Sequence, residues 1–388
     1  MSKSKLLKPT ILSLSFLSIL SGAAVSPALA HIQEAFPDAT ELMIQMILSL
    51  TPLFIIPFSL LTGRLSLKVK KRHLLLVGLS IYLLAGVGGG LMNSLAMILV
   101  MRALLGVGTG VISALSLSLI ADFYHGDERS ITMGQSSAMG SLGGVIMILL
   151  SGWLASFSWR YAFGVYLISL IVLVMVFFFL SEPPEAKLQK TSQIHKLPLG
   201  VYGMSFLTVL LMIVFYLVPT QIAIFLQETN LGDPGQSGIS IATMNLVAFF
   251  LGFAFGSIRK HLKSLATFMA LLSLSAGLIA LNYVQNFPAV LISLFFVGGG
   301  IGILMPTIFL TTANLVPNEL NGPALSITNS GLYLGQFISP LFFSLIGILF
   351  HAQTIRTNFF SGGVFAFIAA LIFSIWMLVR KNLKTSTS

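Results

Sequence analysis

Twelve stretches of this chain are apolar enough and long enough to cross a bilayer, more than any soluble packing could hide. A helix needs about 20 apolar residues to span the hydrocarbon core. Windows of that kind fall at 8–30, 40–62, 73–92, 95–121, 130–151, 161–180, 199–226, 237–258, 264–284, 288–311, 322–347 and 359–379. Six lie on each side of a polar break from Ser181 to Pro198. Only 8% of the residues are charged and 56% are hydrophobic, so lipid is the solvent for most of the chain.

A duplication adds a second constraint. The basic turn Gly63-Arg64-Leu65-Ser66-Leu67-Lys68-Val69-Lys70-Lys71-Arg72 returns in reduced form, 193 residues later, as Gly256-Ser257-Ile258-Arg259-Lys260-His261-Leu262-Lys263. Gly106-Val107-Gly108-Thr109-Gly110 answers to Gly298-Gly299-Gly300-Ile301-Gly302 at an offset of 192. The agreement predicts an all-α membrane protein of two pseudo-symmetric six-helix bundles. The first covers 1–181, a cytoplasmic linker 182–198 and the second 199–388. Pro183 and Pro184 stop the sixth helix, because proline lacks an amide donor and disfavours helix in the residue before it.

Basic residues orient the spans, since cytoplasmic loops carry an excess of Lys and Arg. Eighteen of the 21 fall on one side: Lys3 to Lys8, the turn Arg64 to Arg72, Arg129, the linker lysines, Arg259 to Lys263, and Arg380 to Lys384. Arg160 and Arg356 lie opposite, and Arg102 lies within a span. Both termini are therefore expected on the cytoplasmic side of a bacterial plasma membrane. The net charge of +10 needs no nucleic acid to explain it. The apolar run after Lys8, ending Ala28-Leu29-Ala30, also has the form of a cleaved secretory leader. Its removal would leave an odd number of helices and break the duplication. Without Cys there are no disulfides or thiolate metal sites, and no metal or cofactor is expected.

Three segments carry a family pattern. The turn after the second helix keeps Gly63, Leu65, Lys68, Lys71, Arg72 and Leu75 of Gly-x-Leu-x-Asp-Arg-x-Gly-Arg-Lys/Arg-x-x-Leu/Ile, with basic substitutes at Lys68 and Arg72. It departs at Leu67, in place of Asp, and at Lys70, in place of Gly. Arg102 with Gly106 and Gly108 follows Arg-x-x-x-Gly-x-Gly in the fourth helix. Gly134 and Gly143 keep the spacing of Gly-x8-Gly-x3-Gly-Pro-x2-Gly-Gly in the fifth, where Met147-Ile148 replaces Gly-Pro and Ser151-Gly152 replaces Gly-Gly. In these segments the chain resembles the major facilitator superfamily of secondary transporters, nearest in appearance to its twelve-helix drug and small-molecule antiporters.

The resemblance implies alternating access by rocking of one half against the other, with substrate held between the halves near mid-membrane. It implies a transport or coupling role for Arg102 and a gating role for Gly63, Lys68, Lys71 and Arg72 in the loop. The family's loop Asp helps latch the halves together, so with Leu67 in its place another group must make any such latch. An ionisable residue at membrane depth is by default a functional candidate; the alternative is that Arg102 snorkels to the outer interface. Candidates for the substrate cavity are Gln45, Tyr216, Gln221, Asn245, Thr307, Asn329, Tyr333 and Gln336. Each taken alone is more often an interhelical hydrogen bond than a ligand contact.

No carboxylate is clearly buried at mid-depth, although burial is what raises an Asp or Glu pKa into a working range for proton coupling. Glu41 and Asp122, near span ends, are the coupling candidates. A cavity rich in Phe and Met with Arg102 at its edge suits small hydrophobic compounds, neutral or weakly anionic. The expectation is a monomeric carrier that exports such molecules in exchange for protons; the alternative is a facilitator or symporter importing a small metabolite. There is no H-E-x-x-H, G-x-S-x-G or paired mid-span carboxylate for an enzyme, and no repeated filter element or charged ring for a channel.

Overall fold

The computed structural model describes residues 6–18, 23–66, 68–124, 126–182, 197–317, 320–349 and 354–385. Leu67, Glu319 and the linker residues 183–196 lie outside them. Every regular element among the described residues is helical. The long helices are α1 (Leu7–Ser18), α2 (Glu41–Leu65), α3 (Lys71–Leu91), α4 (Leu95–Phe123), α5 (Gly126–Ala155) and α6 (Trp159–Phe179), then α7 (Leu199–Glu228), α8 (Pro234–Leu262), α9 (Ser264–Tyr283), α10 (Phe287–Ala313), α11 (Asn321–Leu349) and α12 (Ile355–Thr385). Eleven of these, all but α1, are long and apolar enough to cross a membrane.

The first window differs from the expected continuous span. After α1, residues Ala23–Ala28 form a 3-10 turn and Leu29–Ala35 a short helix. Pro27 sits inside the 3-10 segment, where its missing amide breaks the α-helical ladder. Other starts follow capping chemistry. Thr40 accepts from the Met43 amide at 3.3 Å to begin α2, and Asn286 accepts from the Ala289 amide at 3.0 Å to begin α10.

The chain divides into two compact units. One comprises 1–196 with Asp233–Gly238, the other 197–232 with 239–388. Within each unit the glycine triplet builds the same three-helix sandwich. A Cβ on Gly106 would strike the Thr51 carbonyl of α2, and one on Gly110 would lie 3.0 Å from the Ile55 carbonyl; on Gly108 it would lie 2.8 Å from the Gly78 carbonyl of α3. In the second unit Gly298 meets the Met244 carbonyl and Gly302 the Ala248 carbonyl of α8, while Gly300 meets the Ala270 carbonyl of α9. The partners keep the offset of the glycines: Thr51 to Met244 and Ile55 to Ala248 are 193 residues apart, Gly78 to Ala270 is 192. Small residues let membrane helices approach to backbone contact, where dispersion and weak hydrogen bonds replace the hydrophobic drive.

A second repeated device explains the two arginines that stand opposite the other basic residues. Arg160 Nη1 donates to the Gly90 and Met92 carbonyls at 2.9 Å each, and Arg356 donates to the Asn282 and Val284 carbonyls at 2.5 and 3.1 Å. These are the unsatisfied carbonyls at the ends of α3 and α9, where a cation also meets the negative end of the helix dipole. Gly90 to Asn282 and Met92 to Val284 are again 192 apart. Both arginines therefore have a local task besides any effect on orientation.

Candidate functional site

One turn before Gly106, α4 presents Arg102 to the interior of the first unit. The Thr51 hydroxyl of α2 donates to the Arg102 carbonyl at 3.1 Å, which fixes the backbone at this level. The side chain is 1% exposed. Nη1 donates to the Tyr166 hydroxyl at 2.8 Å, and the guanidinium lies 4.6 Å from the Phe163 ring centre and 5.4 Å from that of Tyr166. Tyr82 of α3 stands edge-on to Tyr166 at 5.5 Å and donates its hydroxyl to the Leu17 carbonyl at 3.3 Å. Room for the rings comes from α3: a Cβ on Gly86 would lie 2.5 Å from Tyr166, and one on Gly89 would strike Phe163.

No carboxylate balances this charge, and Nη2 is buried without a hydrogen-bond partner among the described residues. Desolvating a guanidinium costs several kcal/mol, and cation–π contact returns about 2 kcal/mol when desolvated. The nest of Tyr82, Phe163 and Tyr166 around Arg102 was not anticipated from sequence; the i, i+3 pair Phe163 and Tyr166 near the start of a span was the only local signal.

The two coupling candidates differ in surroundings. Glu41, in the first turn of α2, accepts from Gln45 Nε2 at 2.6 Å, and Gln45 is buried. Asp122, at the end of α4, is ion-paired with Lys71 at 2.5 Å; Lys71 also donates to the Ser118 hydroxyl at 2.6 Å. The Glu182 carboxylate caps the start of α3, accepting from the Lys71 amide at 2.7 Å and the Arg72 amide at 3.3 Å. Arg72 donates to the Phe177 carbonyl and lies over the Phe177 ring. Lys71 and Arg72 thus join α3 to the ends of α4 and α6, through two carboxylates that the loop motif itself lacks. Gly63 and Lys68 are exposed. Glu182, just before the proline pair, is a residue that sequence reasoning missed.

The cavity candidates separate by how their polar atoms are used. Gln221 accepts from Asn358 Nδ2 at 3.2 Å, so it joins α7 to α12. The Thr307 hydroxyl donates to the Ile303 carbonyl at 2.8 Å on its own helix. Tyr333 is half-buried one turn from Asn329 on α11. Tyr216 is buried one turn before Thr220, whose hydroxyl donates to the Tyr216 carbonyl at 2.9 Å. Asn245 and Gln336 are half-buried and hold no side-chain hydrogen bond among the described residues. A serine cluster was not foreseen: Ser15 meets Ser116 at 2.9 Å and Ser136 at 2.5 Å, joining α1, α4 and α5.

On α5 the glycines kept from the exporter pattern differ in their surroundings. Gly143 is approached by the Phe16 carbonyl, and a Cβ on Gly152 would lie 2.8 Å from the Pro234 carbonyl. Gly134 has open space around it. Met147 and Ile148, which replace Gly-Pro, are buried.

Comparison with known proteins agrees with this arrangement. The profile of the Major Facilitator Superfamily matches residues 11–340 and, in a second alignment, 204–387. Among solved structures, a bacterial homologue of the human lysosomal transporter Spinster, inward-facing and occupied, is similar with a TM-score of 0.77 at 15% identity, over 97% of each chain. The nucleoside transporter NupG is similar with a TM-score of 0.77 at 11% identity, over 95% of this chain and 99% of that one. A D-xylose–proton symporter is similar with a TM-score of 0.72 at 16% identity, over 95% and 97%. No curated protein sequence matches the chain.

Proposed function

The chain belongs to the major facilitator superfamily, and on that premise we propose that it exports small, largely hydrophobic molecules, neutral or weakly anionic, in exchange for protons. It is a membrane transporter of the alternating-access type and not an enzyme. The observation that carries the finer reading is Arg102, a buried cation with one nitrogen unpartnered and no carboxylate beside it. An uncompensated cation held there biases the field of the first unit toward negative over positive charge.

Of the two carboxylates, Glu41 is the better proton carrier. Asp122 is already neutralised by Lys71, whereas Glu41 touches the buried amide of Gln45. A proton gained or lost at Glu41 changes what that amide can donate to. Asn245 and Gln336 are the best substrate contacts on the second unit, because their polar atoms are not spent within it; Gln221 and Thr307 serve the scaffold instead. Lys71 and Arg72 act in gating through the ends of α4 and α6. We place the carrier in a bacterial plasma membrane as a monomer; the distribution of Lys and Arg supports cytoplasmic termini.

Export is supported by the two exporter-pattern glycines that remain at backbone contacts, Gly143 and Gly152. A second reading, import of a small metabolite, is favoured by Met147 and Ile148 at the pattern's centre. Accumulation of dyes and labelled metabolites in cells expressing the protein separates them. Lowered accumulation that recovers when the proton gradient is collapsed supports proton-driven export; raised accumulation of one metabolite overturns it in favour of import.

A further inference from the structure

In the basic turn of the first unit two carboxylates sit against Lys71 and Arg72, and among the described residues the corresponding turn of the second has none. In the first, Asp122 pairs with Lys71 and Glu182 caps the amides of Lys71 and Arg72. By the offset of 192 Asp122 corresponds to Asn314, and by the offset of 196 that relates Arg160 to Arg356, Glu182 corresponds to Leu378. Both carboxylates are absent from the second copy, yet Arg259, Lys260, His261 and Lys263 remain. Among the described residues of that unit the one carboxylate is Glu228, which ends α7 at the opposite end of the bundle from the linker.

The geometry concentrates this charge. Lys263 alone connects α8 to α9, with a positive φ of 49°, so the last turn of α8 and the first of α9 are adjacent. Lys260, His261 and Lys263 are exposed. Arg259 lies over the Phe255 ring at 5.8 Å, and its Nη1 is shielded from solvent with no partner among the described residues. The start of α9, whose Ser264 and Leu265 correspond to the capped Lys71 and Arg72, has no side-chain cap. Directly below the cations runs an exposed apolar face. Phe253, seven residues before Lys260 and so on the same side of α8, is 87% exposed, and Leu265 and Met269 are exposed on α9.

We propose that Arg259, Lys260 and Lys263 bind the phosphate headgroup of an anionic glycerophospholipid, whose acyl chains lie along Phe253, Leu265 and Met269. The headgroup supplies the negative charge that Asp122 and Glu182 supply in the first unit. Guanidinium and ammonium groups pair with phosphate oxygens by charge-assisted hydrogen bonds, and basic clusters beside a membrane helix attract anionic lipid. The apolar face favours a lipid over a free phosphate, because only a lipid covers both parts of the site. The inference holds for either direction of transport.

Native mass spectrometry of the full-length protein in detergent, titrated with phosphatidylglycerol or phosphatidylcholine, tests this. The wild type should retain at least one phosphatidylglycerol in preference to phosphatidylcholine. The triple variant Arg259→Gln, Lys260→Gln, Lys263→Gln should retain it about 100-fold more weakly, at roughly 1 kcal/mol per basic residue near the surface. Arg259→Gln alone, which keeps the two lysines that help set orientation, should show part of that loss and decides the matter if the triple variant does not fold. Equal retention of the two lipids overturns the proposal, as does an equal loss in Lys68→Gln, Lys70→Gln of the first unit. So does displacement of the lipid by millimolar inorganic phosphate, which would make the ligand a soluble anion.

Discussion

The cores of the two units are built alike around one position that differs in charge. In the first, Arg102 lies among Tyr82, Phe163 and Tyr166; in the second, the corresponding residues are Leu294, Leu274, Phe359 and Gly362. Arg102 is 1% exposed and Leu294 0%. The helices around them pack through the same glycines and end in the same arginine caps, so the scaffold does not need a cation there. Replacing buried ionic groups by apolar ones of similar volume is often neutral or stabilising. Packing therefore does not require Arg102, and a buried cation that packing does not require points to function.

The largest effect should come from reversing the comparison. Leu294→Arg places a guanidinium in a core with no tyrosine hydroxyl to receive it. It should destabilise the second unit by about 3–5 kcal/mol or more, the cost of an uncompensated buried charge. Little folded protein should reach the membrane, as read by fluorescence-detected size exclusion. Normal yield would mean that the two cores tolerate charge equally, and the comparison would lose its meaning.

Arg102→Leu comes next, and its two readouts should move in opposite directions. Flux should fall about 100-fold, while the unfolding temperature stays level or rises by a few degrees, since a costly desolvated charge is removed. A fall in stability with flux preserved would make the arginine structural.

The glycines sharpen the claim of a shared scaffold. Gly106→Ala and Gly298→Ala each drive a Cβ into a backbone carbonyl of the neighbouring helix. Both should lower stability by about 1–3 kcal/mol, the range for overpacking, and by similar amounts. Unequal losses beyond about 1 kcal/mol on that scale would break the equivalence. Arg160→Gln and Arg356→Gln, which weaken the caps of α3 and α9, should cost about 1–2 kcal/mol each and add in combination. The smallest effect is expected at Gly63, which has open space around it. Gly63→Ala in the last turn of α2 should stay within about 0.5 kcal/mol or stabilise slightly by helix propensity, as measured by thermal unfolding.

How much could be read in advance follows from which forces are local. Spans were legible because crossing a bilayer sets a length of apolar chain, and α4, expected over 95–121, runs Leu95–Phe123. The misses lie where the first turn is polar. The fifth window opens at 130, but α5 begins at Gly126 and takes in Asp127 and Glu128. Pro27, inside the 3-10 segment, marks where the first window departs from α-helix. The glycine triplets were legible as landmarks, though not their division of labour between two neighbouring helices.

The site was legible only in part. Arg102 stood out because a charge inside a span is rare, but its partners Tyr82 and Tyr166 come from two other helices, and no local pattern links them. Gln221 shows the reverse case. Its depth is plain in the sequence, whereas the Asn358 amide that donates to its carbonyl oxygen lies 137 residues away. The offset of 196 between Arg160 and Arg356 is present in the sequence and relates the two caps.

The measurement that bears most directly on the central claim is accumulation of a dye panel in cells expressing either the wild type or Arg102→Leu at matched membrane levels, with and without a collapsed proton gradient. Cells with the wild type should accumulate less of at least one dye until the gradient is collapsed, and cells with Arg102→Leu should accumulate as much as cells lacking the protein. Equal, gradient-dependent exclusion by both would contradict the account and leave the buried arginine without a role in transport.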